Sequence, residues 1–345
     1  MAGQLTIVLD LNKCMGCHTC TVACKVLWAD KRGMENAWLM KVNTMPGRGY
    51  PRDWDQMGGG YDAEGNLAAG RRPTDEEYGG VWELKPWEVF TSGGKGNSVY
   101  LNPGKPTWGP NWDEDIGAGT WPNGYFFYLP RLCNQCSRPS CAEGCPWGAI
   151  AKRAEDGIVT IDQEICSRCP EPLCINACPY KEITWDPVRK AAHKCDFCIL
   201  RLEKGVAPAC VRSCPGRMMW IDYLDNKDSI PYKLINEWKV ALPLHAEWGT
   251  EPNIFYIPPM SPPRLQWEGD ALELAGHDEP RIPREYLRSL FGAEVDQALA
   301  TLAQEMEKQR NGERSELMWL MISPRSSAFM GPFLKDPSEV KQGQG

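Results

Sequence analysis

Sixteen cysteines, sorted without remainder into four quartets, constrain this 345-residue chain more than anything else in it. The quartets are Cys14, Cys17, Cys20 and Cys24; Cys133, Cys136, Cys141 and Cys145; Cys166, Cys169, Cys174 and Cys178; and Cys195, Cys198, Cys210 and Cys214. Three end in Cys-Pro, at Pro146, Pro179 and Pro215, while the first ends in Cys24-Lys25. The first has the Cys-x2-Cys-x2-Cys-x3-Cys spacing of a bacterial ferredoxin run, lacking only the closing proline. Thiols every third residue in a short loop curl around one cubane and present three sulfurs. The fourth cysteine, displaced onto the following helix, ligates the neighbouring cluster instead. Quartets therefore come in pairs.

Applied along the chain, this rule pairs quartet one with four and quartet two with three. Cluster 1 takes Cys14, Cys17, Cys20 and Cys214, and cluster 2 takes Cys195, Cys198, Cys210 and Cys24. Cluster 3 takes Cys133, Cys136, Cys141 and Cys178, and cluster 4 takes Cys166, Cys169, Cys174 and Cys145. Short β-rich runs alternate with the quartets at Leu5 to Leu9, Gly157 to Asp162 and Met218 to Asp222. The fold class expected is α+β: two ferredoxin-like (βαβ) lobes in pseudo-twofold arrangement, with a long irregular insertion and a C-terminal extension. Residues 1–27 and 179–222 make the outer lobe, and 131–178 the inner lobe nested within it. Residues 28–130, rich in Gly, Pro and Trp, read as wrapping loop. In the extension, 223–345, Leu287, Leu290, Phe291, Val295, Leu299, Leu302 and Met306 recur at intervals of three and four, one face of an amphipathic helix. That helix can pack on the chain's own core or on a partner, with the core favoured. The last thirty or so residues, ending Lys341-Gln-Gly-Gln-Gly345, read as a docking or disordered tail.

Zinc and disulfides are the competing uses of so many cysteines. Zinc ribbons face two Cys-x2-Cys pairs against each other and do not use the Cys-x3-Cys element present here. Disulfide scaffolds are far shorter and denser in cysteine. Iron–sulfur ligation by four thiolates leaves no open iron position for a substrate, so the chemistry is one-electron transfer at potentials set by nearby charge, hydrogen bonds to sulfur and burial. Lys13, Lys25, Lys194 and Arg168 stand beside ligands and are candidates to raise those potentials. His18 and His193 read as supporting or surface residues, not ligands. No catalytic residue is expected: there is no nucleophile–base motif, and Gly58-Gly-Gly60 has neither the strand before it nor the helix after it that a nucleotide loop needs.

The net charge of -7 with no basic tract disfavours nucleic acid. No apolar run reaches the eighteen or so residues of a membrane span. The start, Met1 to Leu9, carries no basic and apolar leader and so reads as lacking an export signal of its own.

The quartets together with 42–54 (VNTMPGRGYPRDW), 111–115 (NWDED), 125–131 (YFFYLPR) and 240–252 (VALPLHAEWGTEP) resemble the β subunits of class II dimethyl sulfoxide reductase-family molybdoenzymes over nearly the whole chain. The insertion motifs are most similar to the ethylbenzene dehydrogenase and perchlorate reductase branch. The resemblance implies an electron-transfer subunit lying between a molybdopterin-containing α subunit and a haem b γ subunit or soluble carrier. It implies a periplasmic complex exported on the α subunit's twin-arginine peptide, with the cytoplasmic face of the inner membrane as the alternative. The catalytic partner would be a hydrocarbon or steroid dehydrogenase or an oxyanion reductase. A free-standing polyferredoxin carrier is the rival, but the long insertion and the tail suit a permanent interface.

At one point the chain departs from that family. Its β subunits usually lack the second cysteine of quartet three and hold a three-iron cluster there. Here Cys169 is present, and Cys166-x2-Cys169-x4-Cys174-x3-Cys178 repeats the spacing of quartet two. Four [4Fe-4S] clusters are therefore expected, the alternative being three of them and one [3Fe-4S] at the Cys166, Cys174 and Cys145 site.

Overall fold

The computed structural model describes residues 3–28, 37–78, 117–275, 280–322 and 325–338. At its centre lies β1, Leu5–Asp10, with all six residues buried, the pattern of a strand covered on both faces. It pairs antiparallel with β8, Met219–Tyr223, and parallel with β10, Ile254–Ile257. The two-residue β9, Leu242–Pro243, closes this four-stranded sheet. The strand before the first quartet and the strand after the fourth are thus direct neighbours.

Four two-stranded ribbons complete the β structure. β2, Met40–Met45, pairs with β3, Phe127–Leu132. Between quartets two and three, β4, Ile150–Lys152, pairs with β5, Val159–Ile161. Between quartets three and four, β6, Ile183–Asp186, pairs with β7, Ala191–Lys194. β11, Leu265–Glu268, and β12, Ala271–Leu274, form an outer hairpin. Helices follow the cysteines: Thr19–Val26 of quartet one packs against Ala209–Ser213 of quartet four, and Ser140–Glu143 of quartet two against Leu173–Ala177 of quartet three. The molecule is a mixed α/β fold of small sheets with these paired helices at its heart.

In two places the structure differs from expectation. The stretch 28–130 is not all wrapping loop, because β2 lies inside it. Met40, Val42 and Met45 are buried there against β3, and their apolar surface makes the ribbon. The 111–115 motif falls outside the described residues. The C-terminal amphipathic stretch is two helices, Arg284–Phe291 and Val295–Arg310. Gly292, at φ 80, turns the chain between them in a conformation that favours glycine. Leu287, Leu290, Phe291, Val295, Leu299 and Leu302 all join the chain's own core. The tail up to Ser338 is docked too: Phe329, Met330 and Phe333 are buried, and Leu334 bridges to Val206. Lys341 to Gly345 lie outside the described residues. Among the described residues, no helix is long and apolar enough to cross a membrane.

Candidate iron–sulfur centres

The paired helices bring the cysteines of distant quartets together. Cys133, Cys136, Cys141 and Cys178 line one internal cavity, and Cys145, Cys166, Cys169 and Cys174 line a second. Cys14, Cys17, Cys20 and Cys214 lie close enough for each of the others to act on the charge of Cys14. Cys24 feels Cys198 most strongly among its charged neighbours, and Cys195 and Cys210 each feel both Cys24 and Cys198. In every gathering one thiol comes from the other member of the quartet pair.

These gatherings form a row. Cys210 and Cys24 feel Cys20 of the first group, Cys195 feels Cys133 of the third, and Cys174 feels Cys178 across to the fourth. The ends of the row are the most open. Cys17 is exposed, beside Met15, Val22 and Val26, all more than half exposed. At the other end Cys169 is half-buried, near the partly exposed Ile165 and Leu173.

Short loops with left-handed residues shape the cages. Gly16 has φ 64, and a Cβ there would stand 2.5 Å from the Tyr128 ring, so only glycine lets the first loop turn beneath that ring. Cys198, at φ 57, and Gln135, at φ 48, turn their own loops. Gln135 is fully buried: its Nε2 donates to Cys195 O at 2.6 Å and its Oε1 accepts from Val159 N at 2.8 Å, so it ties the second group to the third.

Burial pushes the thiols up. Cys14, Cys24 and Cys174 rise to about 12 and Cys20 and Cys198 to about 11, first through desolvation, with neighbouring thiols adding to it at Cys14, Cys20, Cys24 and Cys174 and the Asp196 carboxylate at Cys198. Thiolates crowded in a dry cavity need cations among them. Sulfur donors, four to a cage, fit iron in a cluster, and among the described residues no three His, Cys, Asp or Glu side chains converge as tightly as a single metal ion requires.

Three of the four candidate cations have defined places. Lys13 Nζ donates to Arg217 O at 2.7 Å and Met321 O at 2.8 Å, lies over the Trp220 ring and acts on Cys214. Lys25 Nζ donates to Ala37 O at 2.8 Å. Lys194 is buried, lines the Cys133 cavity and donates to Val159 O and Cys195 O. Arg168 is exposed. His193 is buried on β7, its Nε2 3.6 Å from Asp186 Oδ2, while His18, at φ 54, turns the chain into the first helix. Unforeseen in the sequence were Lys41, Arg131 and Glu182, a buried charged group beside Cys178. Its signal was available: a lone cation in each of two otherwise apolar or neutral runs, Met40 to Met45 and Phe127 to Leu132.

A row of all-thiol cages, each drawing one cysteine from the partner quartet, is the arrangement of an iron–sulfur electron-transfer protein. Residues 125–223 match the family described as "4Fe-4S dicluster domain". The chain is 50% identical to the selenate reductase subunit beta of Thauera selenatis, over 92% of this chain and 96% of that protein. It is 47% identical to the dimethylsulfide dehydrogenase subunit beta of Rhodovulum sulfidophilum, over 93% and 96%. To the perchlorate reductase subunit beta of Dechloromonas aromatica it is 46% identical, over 95% and 96%. The chain belongs to the iron–sulfur β subunits of the dimethyl sulfoxide reductase family, the electron-transfer subunits of molybdoenzyme complexes. These similar identities do not single out one branch.

Proposed function

We propose that the chain relays single electrons through four [4Fe-4S] clusters between a molybdopterin-containing catalytic subunit and a haem b subunit or soluble carrier. The observation that carries this reading is the single row of four thiol gatherings, with the exposed Cys17 at one end and the half-buried Cys169 at the other. Cys14, Cys17, Cys20 and Cys214 would hold the first cluster; Cys24, Cys195, Cys198 and Cys210 the second. Cys133, Cys136, Cys141 and Cys178 would hold the third; Cys145, Cys166, Cys169 and Cys174 the fourth. Each is a soft, all-thiolate donor set. The clusters supply the redox change, and the chain's part is to fix their spacing, exclude water from the inner pair and set their surroundings.

The exchange of one cysteine between paired quartets is the logic of a two-cluster ferredoxin, used twice in pseudo-twofold lobes. Presence of Cys169 at the rim of its cavity supports a fourth four-iron cluster there in place of a three-iron one. Substrate choice belongs to the catalytic partner. Reductases and a dehydrogenase both occur among the relatives, and a hydrocarbon or steroid dehydrogenase would use the same path with electrons flowing the other way. Export with a twin-arginine-bearing partner places the complex in the periplasm. Purification from the native host, after osmotic release, tests the assembly: molybdenum and this chain should co-elute in equal amounts. Elution as a molybdenum-free species of 38.8 kDa would leave the free-standing carrier as the better account.

A further inference from the structure

Lys41 on β2 and Arg131 on β3 stand directly opposite each other in the antiparallel ribbon, a position in which like charges repel. Both are buried, at 2% and 1% exposure. They share one carboxylate: Lys41 Nζ lies 2.6 Å from Glu182 Oε2, and Arg131 Nη2 lies 3.1 Å from Glu182 Oε1. The Arg131 guanidinium is further fixed by Asn43 Oδ1 and Tyr50 O, each at 3.1 Å, by Tyr180 O at 2.5 Å, and by the face of Trp54, 3.4 Å from the ring centroid. Asp55 also acts on Arg131 but is exposed to solvent, so within the dry interior two cations and one anion leave a positive charge in excess. Such an excess is costly unless an anion answers it.

The answering anion is at hand. Cys178 acts on the charge of both Lys41 and Arg131, and the Glu182 N–H donates to the Cys178 thiol. A four-thiolate cage is anionic in both oxidation states and more so when reduced, so a fixed cation beside it favours the reduced form. Buried Lys181, held by the carbonyls of Ile175 and Asn176, also acts on Cys178. Around the fourth cage the balance differs: the charges acting on Cys166 are its neighbouring thiols and Asp162.

We propose that the Lys41–Arg131–Glu182 group is a potential-setting device, whose excess positive charge holds the cluster at Cys133, Cys136, Cys141 and Cys178 at a higher reduction potential than the shared spacing of its quartet would give. This rests on the reading that those four thiols hold a cluster. These are positioning and tuning residues that act through Cys178.

The test is a redox titration of the purified complex followed by electron paramagnetic resonance, on variants that change the count of charge. Lys41→Met leaves a neutral Arg131–Glu182 pair. At a fixed potential, the reduced-to-oxidised ratio of one cluster should fall tenfold or more, which is about 59 mV for a one-electron couple. Glu182→Gln adds a positive charge and should move the same cluster the opposite way. The double variant restores the native count and should return close to wild type. A merely structural role would not give shifts of opposite sign that cancel. Shifts of the same sign, or none in variants that keep their full iron content, overturn the proposal. Should Lys41→Met lose its cluster, Glu182→Gln alone decides by the direction of its shift, and Lys41→Arg should keep the native potential. Cys141→Ser separates the two readings: if it removes no cluster, the ligand assignment fails, and if it removes the cluster that Glu182→Gln shifts, the assignment stands.

Discussion

Quartets two and three have the same internal spacing, yet the structure surrounds their cages differently. The cage of Cys133, Cys136, Cys141 and Cys178 is lined by Lys194, and Lys41, Arg131 and Lys181 act on its Cys178, all four at most 4% exposed. The cage of Cys145, Cys166, Cys169 and Cys174 opens toward the surface, with Asp162 and Glu171 as neighbours. Spacing within a quartet shapes a cage, whereas the segments added around the ferredoxin core decide its charge and dryness. Two cages made alike can therefore stand at different potentials in one chain.

Replacing a shared ligand strikes the comparison hardest. Cys178→Ser, although it alters quartet three, should remove the cluster of Cys133, Cys136 and Cys141 and keep that of Cys166, Cys169 and Cys174. Electron flow through the complex should fall by orders of magnitude while the catalytic subunit still turns over with an artificial donor. Loss of the cluster at Cys166 instead would break the pairing. Next in size is Cys169→Ser, which should turn the open cage from four-iron to three-iron. An oxidised-state paramagnetic signal, absent from wild type, is the readout; the same signal in wild type would show that Cys169 is not a ligand.

Smaller effects sharpen the contrast in surroundings. Trp54 is 1% exposed and stacks on Arg131. Trp54→Ala should cost about 3–5 kcal/mol, seen as a fall in the melting temperature of the complex, with the Cys133 cage bleaching before the Cys166 cage on heating. Smallest is Asp162, whose Oδ1 accepts from Glu164 N at 2.9 Å and Ile165 N at 3.0 Å and so caps the short helix Gln163–Cys166. Asp162→Ala should cost about 0.5–2 kcal/mol. Asp162→Asn keeps a capping oxygen, removes the charge and should raise the potential of the open cage only.

How far these differences were legible in the sequence follows from their range. Ligand groupings depend on a loop of a few residues and the helix after it, so quartet spacing was enough to propose which thiols share a cluster. The strands at Leu5, Gly157 and Met218 were likewise visible, because each is a short apolar run before or after a quartet. β2 was not, since its pairing with β3 spans more than eighty residues and nothing local in Met40 to Met45 announces a partner. Lys41, Arg131 and Glu182 were missed for the same reason: the first two stand out as lone cations in apolar or neutral runs, but nothing local says that the ribbon sets them opposite each other or that they share Glu182. Gly292 broke a helical period that continued through it, because a periodic apolar face survives a turn that keeps both helices on one core.

The claim beneath all of this is that distant quartets exchange cysteines, and paramagnetic resonance of three single variants tests it most directly. Cys24→Ala and Cys195→Ala should lose the same cluster signal, while Cys14→Ala loses a different one and leaves that signal intact. If Cys24→Ala and Cys14→Ala abolish one and the same signal, with the Cys195 signal unchanged, each quartet serves its own cluster and the account is wrong.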